Sequence, residues 1–187
     1  MKIKCLFFTI AFFFLYHSGW SQSKNQIKDR KIKSTQTHIY DYRKENSNRV
    51  IFTKYDKSGN PIEVKEYKQD STFVRWEKTT FNSNSDVLIS ISLGKDGQTL
   101  EKTEISYNSF EQPMEQKVTN GEDQLVEMIK FEYNQFGNKT IERQYDKDQK
   151  LVSYSKYVYD QKDMLVRKEI YNAKDELLYI KEVKYTY

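Results

Sequence analysis

Nucleophilic or metal chemistry would have to come from very few residues in this chain. It contains two histidines and one cysteine, and His17 and Cys5 both lie in its apolar N-terminal stretch. Once that stretch is removed, no Cys–His pair is possible and a Ser–His–Asp triad would have to use His38. A transition-metal site built from His and Cys would lack ligands. The glycines are isolated, so no loop can cradle a phosphate. We therefore expect no catalytic, cofactor-binding or metal-binding residues.

Carboxylates are abundant, and two of them suffice for glycoside hydrolysis. Here they alternate with lysine or stand at turns, which accounts for them without catalysis. The run Asp146-Lys147-Asp148 offers oxygen ligands of the kind calcium takes, but too few of them. The 15 tyrosines and 11 phenylalanines could bind sugars or peptides through their ring faces. The reading we favour is structural, with cross-strand aromatic pairs each contributing about 0.2–1 kcal/mol. Trp76, Met128, Tyr154 and Ile180 share one phase with Lys102. That mixed apolar column is the candidate contact surface.

These side chains are carried by a repeat. Tyr133-Asn134, Tyr145-Asp146, Tyr159-Asp160 and Tyr171-Asn172 are spaced 12, 14 and 12 apart, a period of 26. Carried upstream, the pattern predicts turns at Asp56, Asn82, Asn108 and Asn120. A short Asx side chain bonds to backbone two residues on and so starts a turn. Gly59, Gly97 and Gly137 supply the positive φ that closes such loops. Pro61 and Pro113 open strands, where a missing ladder donor is tolerated.

Between turns lie runs rich in Val, Ile, Tyr, Phe and Thr, as strands require. On the 26-residue period, Phe81, Tyr107, Tyr133, Tyr159 and Tyr185 form an aromatic column. Val74, Leu100, Val126, Val152 and Leu178 form an apolar column of opposite parity, expected on the other face. No segment shows sustained helical periodicity, so no helix is expected after the leader.

At Tyr55-Asp56-Lys57-Ser58-Gly59-Asn60 and Tyr133-Asn134-Gln135-Phe136-Gly137-Asn138 the chain resembles the Rhs/YD-repeat family. The resemblance covers about residues 50–187. Glu111, Asp123, Gln149, Asp163 and Asp175 replace the glycine, and the period is longer than that family's. The resemblance implies an exported β-repeat surface. In that family long arrays wrap into shells around a toxin cargo or act as extracellular binding modules; five repeats are few for enclosing a cargo.

Residues 1–21 resemble a secretory signal peptide, with Lys2 and Lys4 ahead of the apolar run Leu6–Tyr16 and cleavage expected near Ser21-Gln22. That run is shorter than the ~20 residues needed to span a bilayer, so no transmembrane segment is expected in the mature chain. Residues 22–36 are expected to be a flexible polar lead-in and residues 37–187 a single β-repeat domain. The formal charge is +4, two of it from Lys2 and Lys4, and Lys and Glu are interspersed. That excludes the one-sided basic face of a nucleic-acid binder.

The expected fold is all-β: an antiparallel meander of about 11–12 strands in an open twisted or loosely rolled sheet. The expected function is a non-catalytic exported module at the cell envelope with a protein or glycan partner and no cofactor. The alternatives are a carrier enclosing an apolar ligand in a rolled sheet, and a polysaccharide-active hydrolase using turn carboxylates.

Overall fold

The computed structural model describes residues 24–40 and 48–185. Residues 1–21 and the expected cleavage position near Ser21-Gln22 lie outside the described residues. The chain begins with a short helix, α1 (Lys24–Asp29), followed by β1 (Ser34–Ile39), β2 (Arg49–Tyr55), β3 (Pro61–Lys68) and β4 (Phe73–Phe81). Then come β5 (Val87–Leu93), β6 (Thr99–Tyr107), β7 (Pro113–Asn120) and β8 (Leu125–Tyr133). The last four are β9 (Lys139–Asp146), β10 (Leu151–Tyr159), β11 (Leu165–Asn172) and β12 (Leu177–Glu182). All twelve strands form one sheet in sequence order, each antiparallel to the next and not closed into a barrel. The meander and its open sheet are as the sequence predicts.

The hairpins from β2–β3 to β11–β12 share one loop. Asp56 Oδ1 accepts hydrogen bonds from the N–H of Ser58 and Asn60 at 2.8 and 2.9 Å. The same pair of bonds recurs at Asn82, Asn108, Asn120, Asn134, Asp146, Asp160 and Asn172. The loop then needs one left-handed residue. Gly59, Gly97 and Gly137 fill it with φ of 82°, 84° and 85°. Ser71, Ser85, Glu111, Asp123, Gln149, Asp163 and Asp175 fill it with φ between 58° and 73°, at a cost of about 1–2 kcal/mol where the residue is neither Gly, Asn nor Asp. The repeat keeps the turn even where it lacks the residue that turn prefers.

The aromatic column ties strand ends together. The hydroxyls of Tyr107, Tyr133, Tyr159 and Tyr185 donate to the carbonyls of Val87, Pro113, Lys139 and Leu165 at 2.7–3.0 Å. Each acceptor is the first residue of the preceding strand. Phe81 holds the same place without a hydroxyl.

Two expectations are corrected. Val74, Leu100, Val126, Val152 and Leu178 are not a stripe on the opposite face. Pairing skips each of them, because the register shifts at the second residue of every strand from β3 to β12. A bulge restarts the alternation of faces, so parity counted across it assigns no face. Leu100, Val126, Val152 and Leu178 are exposed at sheet margins.

The second correction is α1, in the segment expected to be a lead-in without helix. Its Ile27 is buried, Ile32 N–H donates to Ile27 O, and Lys33 O accepts from Tyr55 N–H. One buried side chain docked on a hairpin stabilises this turn of helix, and one residue leaves no period in the sequence.

Candidate functional site

Register places two rows of side chains opposite one another on one face. Ile105, Gln116, Ile129, Gln144 and Ser153 follow each other across β6 to β10. Phe131, Glu142, Ser155 and Ile170 do so across β8 to β11. Neighbouring strands are about 4.8 Å apart. Residues from Ile105 on β6 to Leu178 on β12 line one groove of about 850 Å³, so this face is concave.

The concave face holds its charges in clusters. Glu142 accepts from Lys139 Nζ at 2.6 Å and from the Tyr157 hydroxyl at 2.9 Å, with Lys168 Nζ 3.9 Å away. Burial alone would raise the Glu142 carboxyl, but the bond to Lys139 and the charges of Lys139 and Lys168 outweigh it and hold it below the usual range. Burial, with the Glu142 charge, pushes the Tyr157 phenol well above its ordinary value. Burial lowers the Lys168 ammonium, with Glu142 opposing. Further along, Glu66 joins Arg49 Nη1 and Arg75 Nε, each at 2.7 Å.

Glu127 differs from both. Its carboxylate accepts from the Gln144 amide, and it forms no ion pair among the described residues. Burial raises it despite that bond, and the charges of Glu101 and Glu142 raise it further. The groove thus contains one carboxyl displaced upward and one displaced downward.

Two polar side chains in the groove stand apart. Gln116 is 3% exposed and Ser155 is 6% exposed, and both line the groove. Their neighbour Gln144 bonds to Glu127 and to the Ser153 hydroxyl, and among the described residues the buried side-chain atoms without a partner are Thr119 Oγ1 and Arg167 Nε.

The predicted contact column lies on the opposite face, in cross-strand pairs: Trp76 with Leu93, Lys102 with Thr119, Met128 with Tyr145 and Tyr154 with Tyr171. Ile180 sits opposite Glu169. These residues are engaged by their neighbours. Trp76 Nε1 donates to Glu63 at 2.9 Å, and Lys65 Nζ lies 3.8 Å from the centre of its ring. Tyr154 stacks on Tyr171 with centroids 5.0 Å apart, and its hydroxyl donates to Asp175 at 2.7 Å. That bond, in which the phenol is the donor, pushes Tyr154 up to about 12. Met128 is 6% exposed and Ile180 is 37% exposed.

Other residues weighed for chemistry also have local roles. His38 on β1 bonds through Nε2 to Gln36 Nε2 at 2.9 Å and stacks near Tyr40. Asp146 caps its own loop, and Asp148 pairs with Lys147. Among the described residues, no three His, Cys, Asp or Glu side chains are grouped to hold a metal ion. No helix among the described residues is long and apolar enough to cross a membrane.

Sequence reasoning missed Gln116, Glu127, Glu142 and Ser155 as a set. On the 26-residue period Gln116 falls in the column Val64, Ser90, Gln116, Glu142, Lys168, which has no constant chemistry.

The chain matches no protein-family model and no curated protein. Among solved structures it is similar to a Tc holotoxin pore from Photorhabdus luminescens, at 13% identity and a TM-score of 0.46 over 87% of this chain and 10% of that one. It is also similar to a TcdB2–TccC3 complex, at 12% identity and a TM-score of 0.30 over 80% of this chain and 11% of that one. The chain spans about a tenth of the length of the structures it matches. With its single meander of Asx-turn hairpins, the chain is similar in fold to Rhs/YD β-repeats.

Proposed function

We propose that this chain is an exported, non-catalytic binding module that takes its partner on the concave face. Export is supported by the basic start, apolar run and small residues of positions 1–21. The single observation that carries the binding role is the groove across β6–β12, about 850 Å³ in volume, roofed by no other element of the sheet. Its lining combines Ile105, Ile129, Phe131 and Ile170 with a few polar groups, the composition of a recognition surface. An open sheet favours a surface-bound partner over an apolar ligand sealed within a barrel.

The test is native mass spectrometry of the secreted full chain, purified without denaturant from its own envelope fraction. A retained partner that is lost when Phe131→Ala opens the groove supports the module. A chain that retains nothing and instead turns over a polysaccharide contradicts it.

One observation favours the hydrolase as a second reading: Glu127 and Glu142 face one groove with their carboxyls displaced in opposite directions, as a general acid and its partner would be. Glu142 is neutralised by Lys139 and Lys168, which suits an anchor of the face better than a free nucleophile. Loss of polysaccharide turnover in Glu127→Gln would establish the hydrolase over the module.

A further inference from the structure

We infer that the margin of the sheet formed by the loops of β2–β3, β4–β5, β6–β7, β8–β9 and β10–β11 docks on a lipid surface, with Phe110 and Phe136 inserting into the interface of a zwitterionic bilayer. This site lies apart from the concave face and does not depend on what that face binds.

The meander places its hairpin loops alternately on two margins, and one loop geometry serves both. The third residue of each five-residue loop shows how the margins differ. Phe110 N–H donates to Asn108 Oδ1 at 2.9 Å and Phe136 N–H to Asn134 Oδ1 at 3.0 Å. The turn thus uses the backbone at this place and sets no requirement on the side chain, and Ser58, Asn84 and Lys162 fill it in the sister loops. On the opposite margin the same place holds Asp70, Asp96, Glu122, Asp148 and Lys174, all charged and all exposed. Phe110 is 81% exposed and Phe136 is 71% exposed, the two most exposed large hydrophobic side chains among the described residues. The bulges do not make this distinction, since Leu88 and Met114 on one margin and Leu100 and Val126 on the other are all exposed.

The rings stand on a braced support. Asn84 Nδ2 donates to Glu111 at 2.6 Å, Gln112 Nε2 to Gly137 O at 3.0 Å and Asn138 Nδ2 to Asp163 at 2.9 Å. These bonds lace four neighbouring loops together. Two strand spacings separate the loops that carry the rings, about 10 Å. Docking therefore has no loop to order, which removes one cost of binding.

Area and charge choose the occupant. A phenylalanine buries about 150–250 Å², so the pair offers about 300–500 Å². A stable protein interface, including one with a second copy of this chain, takes about 800 Å² from each partner. A bilayer sets no such minimum, because each ring enters the boundary of headgroups and acyl chains separately. The five loops of this margin carry Asp56, Asp86, Glu111, Asp160 and Asp163 against Lys57 and Lys162. An anionic leaflet attracts basic segments and would repel this excess of carboxylates. A zwitterionic leaflet offers ammonium groups at the depth of Glu111, which adjoins Phe110.

The test is flotation of the secreted full chain with vesicles of phosphatidylcholine and phosphatidylethanolamine, beside matching vesicles enriched in phosphatidylglycerol. Binding to the zwitterionic vesicles is expected, weakened about tenfold in Phe110→Ser and in Phe136→Ser and further in the double variant. The unfolding temperature is expected to stay unchanged in these variants, because Ser58 already fills this place in a sister loop. Phe136→Trp should keep binding and add an emission that shifts to the blue on vesicles. Phe131→Ala, which tests the concave face, should leave vesicle binding unchanged, so the two readings fail separately. Binding of no vesicle overturns the lipid surface, and equal binding by the double variant overturns the two rings as its anchors. Tighter binding to the phosphatidylglycerol vesicles overturns the zwitterionic class. A protein retained by the native chain and lost from the double variant, with no vesicle bound, overturns the lipid in favour of a protein partner at the same loops.

Discussion

The two faces of this sheet are built from the same repeat and finish differently. On the face that carries Trp76 and Tyr154, both of these rings are engaged by their neighbours: an indole bonded to Glu63 and covered by Lys65, a phenol bonded to Asp175 and stacked on Tyr171. On the concave face, charges are gathered into clusters around Glu66 and Glu142, and Gln116, Ser155, Ile129 and Phe131 line an open groove. Satisfied aromatic residues hold a sheet together. Apolar and polar side chains that line an open groove are left to meet a partner.

The comparison is broken most severely by removing an anchor of the concave face. Glu66→Ala leaves Arg49 and Arg75 facing each other. Loss of a fully buried partner costs about 3–5 kcal/mol; because both arginines are partly exposed, we expect about 2 kcal/mol in urea unfolding. The Glu66 carboxyl is itself held low: burial raises it, and the bonds to Arg49 and Arg75 outweigh that. Its contribution is present above the usual carboxylate value of about 4.3 and is lost as pH falls through the lower folded-state value. The gap between the native chain and Glu66→Gln should therefore close in acid.

The turns give the next effects. Gly59→Ala combines a φ of 82° with a Cβ placed 2.6 Å from Lys24 O, so it should cost about 2 kcal/mol and detach α1. Gly97→Ala, at φ 84° with its nearest contact 3.4 Å away, should cost only about 1 kcal/mol. In the other direction, Gln149→Gly relieves a left-handed residue and should add about 0.5–1 kcal/mol. Asp163→Gly should add less, since Asp tolerates that geometry.

Much of the fold was legible because the turn chemistry repeats. Eight Asx residues and a period of 26 announced the hairpins, and Tyr107, Tyr133, Tyr159 and Tyr185 recur because each makes the same bond to a strand start. The bulges were not legible, since Val74 or Leu100 reads as one more strand residue until the pairing skips it. Nor was α1, which rests on Ile27 alone. The groove was hidden for a different reason. Positions that build the sheet keep their type from repeat to repeat, whereas Gln116 shares its column with Val64, Ser90, Glu142 and Lys168, so a local site looks like noise.

Two smaller effects sharpen the contrast. Glu127 is raised by burial, so its carboxylate opposes folding once pH exceeds the unfolded value. Glu127→Gln should gain stability at pH 7, by less than about 1 kcal/mol, and gain none at pH 3, where both states are protonated. On the reverse face, Tyr154→Phe removes one exposed bond to Asp175 and should leave both stability and ligand binding essentially unchanged.

Hydroxyl-radical footprinting of the full chain, with and without the partner retained through native purification, tests the division between the faces most directly. The account predicts protection of Phe131, Tyr133 and Tyr159 with Trp76 and Tyr154 unchanged. Protection of Trp76 and Tyr154 with the groove residues unchanged would contradict it.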